Sequence, residues 1–122
     1  MPKKILVVDD DPTGRLLTES RLKKAGYEVL LAGEGEMGLN LTKTQRPDLI
    51  ILDIEMPGMN GFTFLVQLRK LEDLKNTPVI VLTAHAENKP IFQRHGISSY
   101  LVKPVNFDDL FAKLNAILGP VQ

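Results

Sequence analysis

The stretch Pro47 to Phe62, PDLIILDIEMPGMNGF, contains a fully apolar run that ends abruptly in a carboxylate. The run, Leu49 to Leu52, has no alternating polar residue, which is typical of a strand buried on both faces in a parallel sheet. Asp53 follows directly, at the carboxyl end of the predicted strand, where open parallel sheets bind their ligands. The segment Glu55 to Gly61 contains proline and glycine and predicts a turn. We therefore expect the chemistry of this chain at Asp53.

The composition indicates one globular domain. The chain has 122 residues, of which 43% are hydrophobic and 25% charged, enough for a single core. Fifteen basic and fifteen acidic residues cancel, so net charge favours neither a nucleic acid nor a membrane surface as partner. The absence of cysteine excludes a disulfide scaffold, a thiolate metal site and a cysteine nucleophile. We expect a domain over residues 1–118 and a tail over residues 119–122.

Strand and helix signals alternate along the chain. We predict strands at Ile5–Val8, Tyr27–Ala32, Leu49–Leu52, Val79–Leu82 and Tyr100–Val102, and helices over about 12–25, 35–44, 60–72, 85–95 and 107–118. Pro90 interrupts the fourth helix, which either begins near this residue or is distorted there. Five β-α repeats favour an α/β fold, a doubly wound five-stranded parallel sheet of order 2-1-3-4-5 with five helices, the flavodoxin-like arrangement. The first apolar run is too short for a signal peptide or a membrane span, so we expect a cytoplasmic protein.

Polar residues follow four of the predicted strands. They are Asp9 and Asp10, Asp53, Thr83 and Lys103. Because parallel strands point the same way, these side chains are expected to meet at one edge of the sheet. Three crowded carboxylates repel one another unless a cation is present, and oxygen ligands without cysteine favour Mg²⁺ over zinc.

A carboxylate beside Mg²⁺ and a lysine is suited to accept a phosphoryl group as an acyl phosphate. Lys103 would neutralise the phosphoryl oxygens, and the Thr83 hydroxyl could donate a hydrogen bond to one of them. The sequence has neither a GxxxxGK[ST] loop nor a GxGxxG motif after the first strand. A nucleotide is therefore not expected as the direct donor.

The motifs VVDD (7–10), LDIEMPGMNG (52–61), VLTA (81–84) and YLVKP (100–104) occur in this order. Together they resemble a response-regulator receiver domain over about residues 3 to 118. The resemblance implies that Asp53 is the phosphoacceptor and that Lys103 contacts the phosphate, with a cis peptide before Pro104. It also implies a Mg²⁺ site formed by Asp10, Asp53 and the backbone carbonyl of Glu55, with Asp9 acting through water.

The resemblance further implies a signalling role. The donor would be a phosphohistidine on a sensor histidine kinase or a histidine phosphotransfer protein. Thr83 and Tyr100 would form a switch pair that changes the face made by the fourth helix, fifth strand and fifth helix, and a downstream protein would read that face. Turnover of an independent substrate, direct nucleic-acid binding and membrane association are not expected.

Two departures and two rival functions qualify this hypothesis. Lys103 is 20 residues after Thr83, slightly less than expected for the family, and Ile97 follows Gly96 where alanine is usual.

The rival functions are a phosphate-independent interaction module and a small phosphohydrolase with an aspartate nucleophile. Glu55 and His85 either flank incoming water or are solvated loop residues.

Overall fold

The computed structural model describes residues 2–56 and 58–120. Pro57, placed by the sequence in the turn after the third strand, lies outside the described residues, as do the tail residues Val121 and Gln122. Five strands alternate with five helices: β1 (Lys4–Val8), α1 (Pro12–Lys24), β2 (Glu28–Ala32), α2 (Gly35–Gln45), β3 (Leu49–Asp53), α3 (Gly61–Arg69), β4 (Val79–Thr83), α4 (Lys89–Gln93), β5 (Ser99–Val102) and α5 (Phe107–Leu118).

The strands form one parallel sheet in the order β2-β1-β3-β4-β5, which confirms the sequence prediction. The register places Val8 beside Leu52, Asp53 beside Leu82, and Thr83 beside Val102. The carboxyl ends of β1, β3, β4 and β5 therefore lie at the same edge. This edge carries all the polar residues that the sequence singled out.

Successive strand residues point to opposite faces of the sheet, which explains why the runs are apolar without alternation. One face packs Leu6, Val8 and their neighbours in β3 and β4 against α2, α3 and α4, with Phe64 fully buried. The other face packs Ile5 and Val7 against α1 and α5. Both cores lie directly beneath the site edge, so the strand ends have rigid support.

Two helices differ from their predicted extents. The sequence predicted the third helix as far as residue 72, but α3 ends at Arg69, and turns follow at residue 70 and over residues 72–76. The Arg69 side chain donates to the carbonyl oxygens of Lys75 and Thr77, which bends the chain back at this point. The fourth helix is short: a 3₁₀ turn at Ala86–Asn88 precedes α4, whose second residue is Pro90. A helix start near Pro90 was one of the two predicted alternatives.

Side chains cap the starts of α1, α3 and α5, whereas Glu34 before α2 makes no such hydrogen bond. The Asp11 carboxylate accepts a hydrogen bond from the Thr13 N–H at the start of α1, and Asn106 accepts one from Asp109 at the start of α5. Asn60 caps α3 in the same way. Within the described residues, no helix is both long enough and apolar enough to cross a membrane.

Candidate functional site

Three carboxylates converge at the carboxyl edge of the sheet. Asp53 is the last residue of β3, and Asp9 and Asp10 follow β1 directly. One carboxylate oxygen from each of the three lies within 4.8 Å of the others. Asp9 and Asp53 are 5% and 6% exposed, so these two charges are largely removed from water. The site is therefore a partly buried concentration of negative charge.

Lys103 provides the positive charge of this site. Its Nζ atom lies 3.2 Å from Asp53 Oδ2 and 3.6 Å from Asp9 Oδ2. The residue is one position beyond β5, and its backbone N–H donates to the Thr83 carbonyl oxygen at 2.6 Å. The following peptide, before Pro104, is cis, as the sequence resemblance implied.

The pKa values of Asp9 and Lys103 are both raised, and in each residue burial and some of the neighbouring groups act in opposite directions. Desolvation raises the pKa of Asp9 above its ordinary value of 3.8, against the lowering effects of the Asp11 N–H and of Lys103. Burial alone would lower the pKa of Lys103, but attraction to Asp53 and Asp9 outweighs it, so the net shift is upward. Lys103 is therefore held in its charged form, while Asp9 resists ionisation.

Backbone groups orient the two buried carboxylates. Asp53 Oδ1 accepts from the Glu55 N–H at 3.0 Å, and Asp9 Oδ1 accepts from the Asp11 N–H at 2.9 Å. In both residues the second oxygen, Oδ2, faces Lys103. Each carboxylate thus has one oxygen fixed by the chain and one directed into the site.

The predicted switch pair meets at the backbone of His85. Thr83 is fully buried, and its Oγ1 atom accepts from the His85 N–H at 3.1 Å. The Tyr100 hydroxyl donates to the carbonyl oxygen of the same residue. The Tyr100 ring is partly exposed and lies 6.1 Å from the Phe92 ring of α4. Thr83 and Tyr100 are therefore connected to each other through one backbone segment of the loop after β4.

The His85 side chain joins two loops over the site. Its Nε2 atom lies 2.6 Å from Glu55 Oε1, and its Nδ1 atom lies 3.1 Å from Glu87 Oε1. Glu55 belongs to the loop that follows Asp53, so this contact connects the acceptor loop to the loop after β4. Both side chains are exposed, 48% for His85 and 53% for Glu55, and the two alternatives for this pair stay predictions.

The site opens to solvent beside Asp9 and Lys103. A cavity of about 240 Å³ adjoins these two residues and is walled by Leu17 of α1 and Phe107 of α5. The backbone on the opposite side is tightly packed, because a Cβ atom on Gly61 would lie 2.5 Å from Ile54 Cα.

The structure brings Asp9, Asp10, Asp53 and Lys103 together, and it places Thr83 at the end of the adjacent strand. Sequence reasoning gave no role to Arg15, whose guanidinium donates to the Asp9 carbonyl oxygen at 2.7 Å. Because Arg15 lies among solvated residues of a helix with an incomplete apolar stripe, no periodic signal could have identified it.

Residues 5–115 match the family described as the response regulator receiver domain. Protein PilH of Pseudomonas aeruginosa is 38% identical over 118 residues, which cover 95% of this chain and 98% of PilH. The transcriptional regulatory protein PhoP of Bacillus subtilis is 37% identical, and the match covers 97% of this chain. The chain spans 49% of PhoP, about half of its length.

The solved structures include response regulator protein TrrA of Thermotoga maritima, in complex with Mg(2+)-BeF. It superposes with a TM-score of 0.86 at 38% identity and covers 94% of this chain and 98% of its own.

Proposed function

The chain belongs to the response-regulator receiver family of two-component signalling, and on that premise we propose that Asp53 accepts a phosphoryl group from a protein phosphohistidine. The observation that carries this proposal is the meeting of three carboxylates with one lysine at the carboxyl edge of the sheet. Asp53 is the candidate acceptor because its Oδ2 atom faces Lys103 and its Oδ1 atom is held by the Glu55 N–H.

The three carboxylates fit a Mg²⁺ ion. Mg²⁺ binds hard oxygen ligands at about 2.0–2.1 Å, so ligands on opposite sides of it are about 4.2 Å apart. The oxygens of Asp9, Asp10 and Asp53 are within 4.8 Å of one another, which requires only small adjustments of the side chains. We propose that Asp10, Asp53 and the Glu55 backbone carbonyl hold the ion, with Asp9 acting through water. A bound Mg²⁺ would supply charge neutralisation for the phosphoryl oxygens.

In the proposed reaction, a carboxylate oxygen of Asp53 forms a bond to phosphorus as the bond from phosphorus to the donor imidazole nitrogen breaks. The electron pair of the broken bond remains on the imidazole. Lys103 needs to move little to contact the new phosphoryl oxygens, because it already lies 3.2 Å from Asp53 Oδ2. The Thr83 hydroxyl is the proposed second donor, and it would exchange its contact with His85 for one with the phosphoryl group.

We propose that this exchange at Thr83 is the switch. The Thr83 oxygen and the Tyr100 hydroxyl both contact the His85 backbone, so movement at the first residue changes the partner of the second. Tyr100 packs near Phe92, and its reorientation would alter the surface of α4, β5 and α5. A downstream protein that binds this surface is the proposed output.

Intact-mass measurement after incubation with acetyl phosphate tests the acceptor. We expect one adduct of about 80 Da in wild type with Mg²⁺, and none with EDTA or in Asp53→Asn. A matched control is Asp48→Asn, at the opposite end of the same strand, which should still form the adduct. Modification of Asp53→Asn at the wild-type level would contradict Asp53 as the acceptor.

The same experiment separates the rival functions. No adduct under any condition would favour the phosphate-independent interaction module. Release of phosphate from phosphomonoesters with multiple turnovers would favour the phosphohydrolase, which would need a second acid to protonate the leaving group and an Asp at position 55, where this chain has Glu55. We propose a signalling domain without turnover of an independent substrate.

The proposed partners and location follow from membership of the receiver family. We propose a sensor histidine kinase or a histidine phosphotransfer protein as donor, and the cytoplasm as the location. We propose residues 1–118 as the receiver domain and residues 119–122 as its tail.

A further inference from the structure

Arg15 on α1 contacts the backbone of the acidic site rather than its side chains. We propose that Arg15 is a positioning residue that orients the Asp9–Asp10 peptide so that both carboxylates face the Mg²⁺ site. The inference rests on the proposed function, because it concerns the affinity of that site for its ion. It assigns a role to a residue outside the set of side chains that meet at the sheet edge.

The geometry of the Arg15 side chain is defined on two sides. Its Nη1 atom donates to the Asp9 carbonyl oxygen at 2.7 Å. On the other side, the guanidinium lies against Gly33, where a Cβ atom would be 3.0 Å from Nη1 and 3.6 Å from Cζ. Glycine at position 33 therefore leaves the space that the guanidinium occupies.

The hydrogen bond from Arg15 holds the peptide group that joins Asp9 to Asp10. The Asp9 N–H donates to the Ala32 carbonyl oxygen at 3.0 Å, so the amino side of Asp9 is held by β2. Its carbonyl belongs to the peptide that joins Asp9 to Asp10, and Arg15 holds this side. Within the part of the chain that the structure describes, the Asp10 carboxylate forms no hydrogen bond or ion pair of its own. Its direction thus depends on the peptide that Arg15 fixes.

Two effects of Arg15 on the ion oppose each other, and their signs can be distinguished. As a positive charge near the site, Arg15 disfavours a cation, so its removal would tighten Mg²⁺ binding if charge alone mattered. As a positioning group, it keeps the carboxylates aimed at one point, so its removal would weaken binding. Groups that orient metal ligands typically contribute about 10-fold or more to affinity. We therefore expect the positioning effect to dominate.

The test is a Mg²⁺ titration of the unphosphorylated protein, followed by amide chemical shifts in two-dimensional NMR. Arg15→Ala should raise the Kd for Mg²⁺ about 10-fold, and Arg15→Lys, which keeps the charge and a donor, should recover part of the loss. Lys24→Ala removes the same charge from the end of the same helix and should leave the Kd unchanged. Urea unfolding of each variant separates a change in the site from a change in stability.

Gly33→Ala provides an independent test with Arg15 still present. The backbone at Gly33 is outside the left-handed region, so alanine is compatible with it, and the new methyl group displaces only the flexible guanidinium. We expect weaker Mg²⁺ binding in Gly33→Ala and no further loss when this change is added to Arg15→Ala.

The results distinguish this inference from the proposed function. Unchanged or tighter binding in Arg15→Ala, with normal binding in wild type, would overturn the role of Arg15 and leave the Mg²⁺ site intact. Additive losses in the double variant would also overturn it, because Gly33 would then act by another route. Absence of any titration in wild type would overturn the Mg²⁺ site and this inference together.

Discussion

Replacing Asp9 by asparagine should stabilise the fold at neutral pH when Mg²⁺ is absent. The Asp9 carboxylate is 5% exposed and lies within 4.8 Å of two other carboxylates, at Asp10 and Asp53. Asparagine has the same shape, and its Oδ1 atom can keep the hydrogen bond from the Asp11 N–H. The substitution therefore removes a charge and keeps the backbone hydrogen bond, while the amide nitrogen replaces Oδ2 beside Lys103.

The magnitude follows from the distances at the site. With an effective dielectric constant of about 20, each repulsion taken at the 4.8 Å limit is about 3.5 kcal/mol, and the attraction to Lys103 across 3.6 Å is about 4.6 kcal/mol. The two repulsions exceed the one attraction by about 2 kcal/mol, and the desolvation of Asp9 adds to the penalty. We expect Asp9→Asn to raise the free energy of unfolding by about 1–3 kcal/mol.

The gain should depend on pH in a defined sense. Desolvation raises the pKa of Asp9 in the folded chain above 3.8, so the folded state binds this proton more tightly than the unfolded state does. The corresponding stability of wild type is fully present below pH 3.8 and is lost as the pH rises through the folded pKa. Asp9→Asn should therefore exceed wild type at neutral pH and converge with it toward pH 3.8.

Urea unfolding in EDTA, followed by far-ultraviolet circular dichroism at several pH values, measures this difference. For a slope of about 2 kcal/mol per molar, a gain of 2 kcal/mol moves the midpoint by about 1 M. Asp73→Asn is the matched control, because Asp73 forms an exposed ion pair with Arg46 and its loss should have little effect. A less stable Asp9→Asn protein at neutral pH would refute the reasoning, because attraction to Lys103 would then outweigh repulsion and desolvation.

Three further predictions concern the core, the acceptor loop and the lifetime of the phosphoryl group. Phe64→Ala removes a fully buried ring and should lower the free energy of unfolding by about 3–5 kcal/mol in urea; a loss below 1 kcal/mol would contradict the packing. Gly61→Ala places a methyl group 2.5 Å from Ile54 Cα and should cost about 2–4 kcal/mol in thermal unfolding, whereas an unchanged Tm would argue against this close contact. His85→Ala removes the side-chain contact with Glu55, worth about 1 kcal/mol. We expect this variant to lose its phosphoryl group about fivefold faster, as measured by the release of inorganic phosphate. An unchanged rate would mean that the contact does not shield the phosphoryl group from water.

The sequence predicted the strands and the sheet order because buried parallel strands carry an unbroken apolar signal. The run Leu49–Leu52 is buried on both faces, and the runs in β1 and β4 behave in the same way. Since parallel strands share one direction, their polar ends had to meet, and Asp9, Asp53 and Lys103 do so. This part of the site depends only on topology and could be predicted without side-chain detail.

The sequence pattern predicts α2 and the end of α3 less well than the strands. Gly38 lowers the helical propensity of α2, yet a Cβ atom there would lie 2.9 Å from Val8 and 3.0 Å from Phe64. Glycine at this position allows the helix to pack closely against the sheet. Helix propensity alone counts the same glycine only as unfavourable. The Arg69 side chain at the end of α3 likewise donates to the carbonyl oxygens of His95 and Gly96, which are 26 and 27 positions away in sequence.

The contacts around His85 could not be predicted because they join loops without periodic sequence. His85 and Glu55 are 30 positions apart, and their contact depends on how the loops after β3 and β4 approach each other. The link from Tyr100 to His85 uses a backbone carbonyl, which any residue would offer. Sequence patterns identify which strand ends share an edge, but they do not specify these cross-loop contacts.

The charge balance of the site is the reason to expect that phosphoryl transfer to Asp53 requires a bound cation. Among the described residues, Lys103 pairs with the carboxylates of Asp9 and Asp53, while that of Asp10 has no such partner, so negative charge is in excess before any phosphoryl group arrives. A phosphoryl group would add further negative charge at Asp53, within reach of the same lysine. The repulsion that is expected to lower the stability of the fold would therefore also oppose the proposed phosphorylation of Asp53 unless a cation is bound. One arrangement of residues thus predicts both the stabilising effect of Asp9→Asn and the loss of the phosphoryl adduct in EDTA, and a protein that showed only one of these would require separate explanations for them.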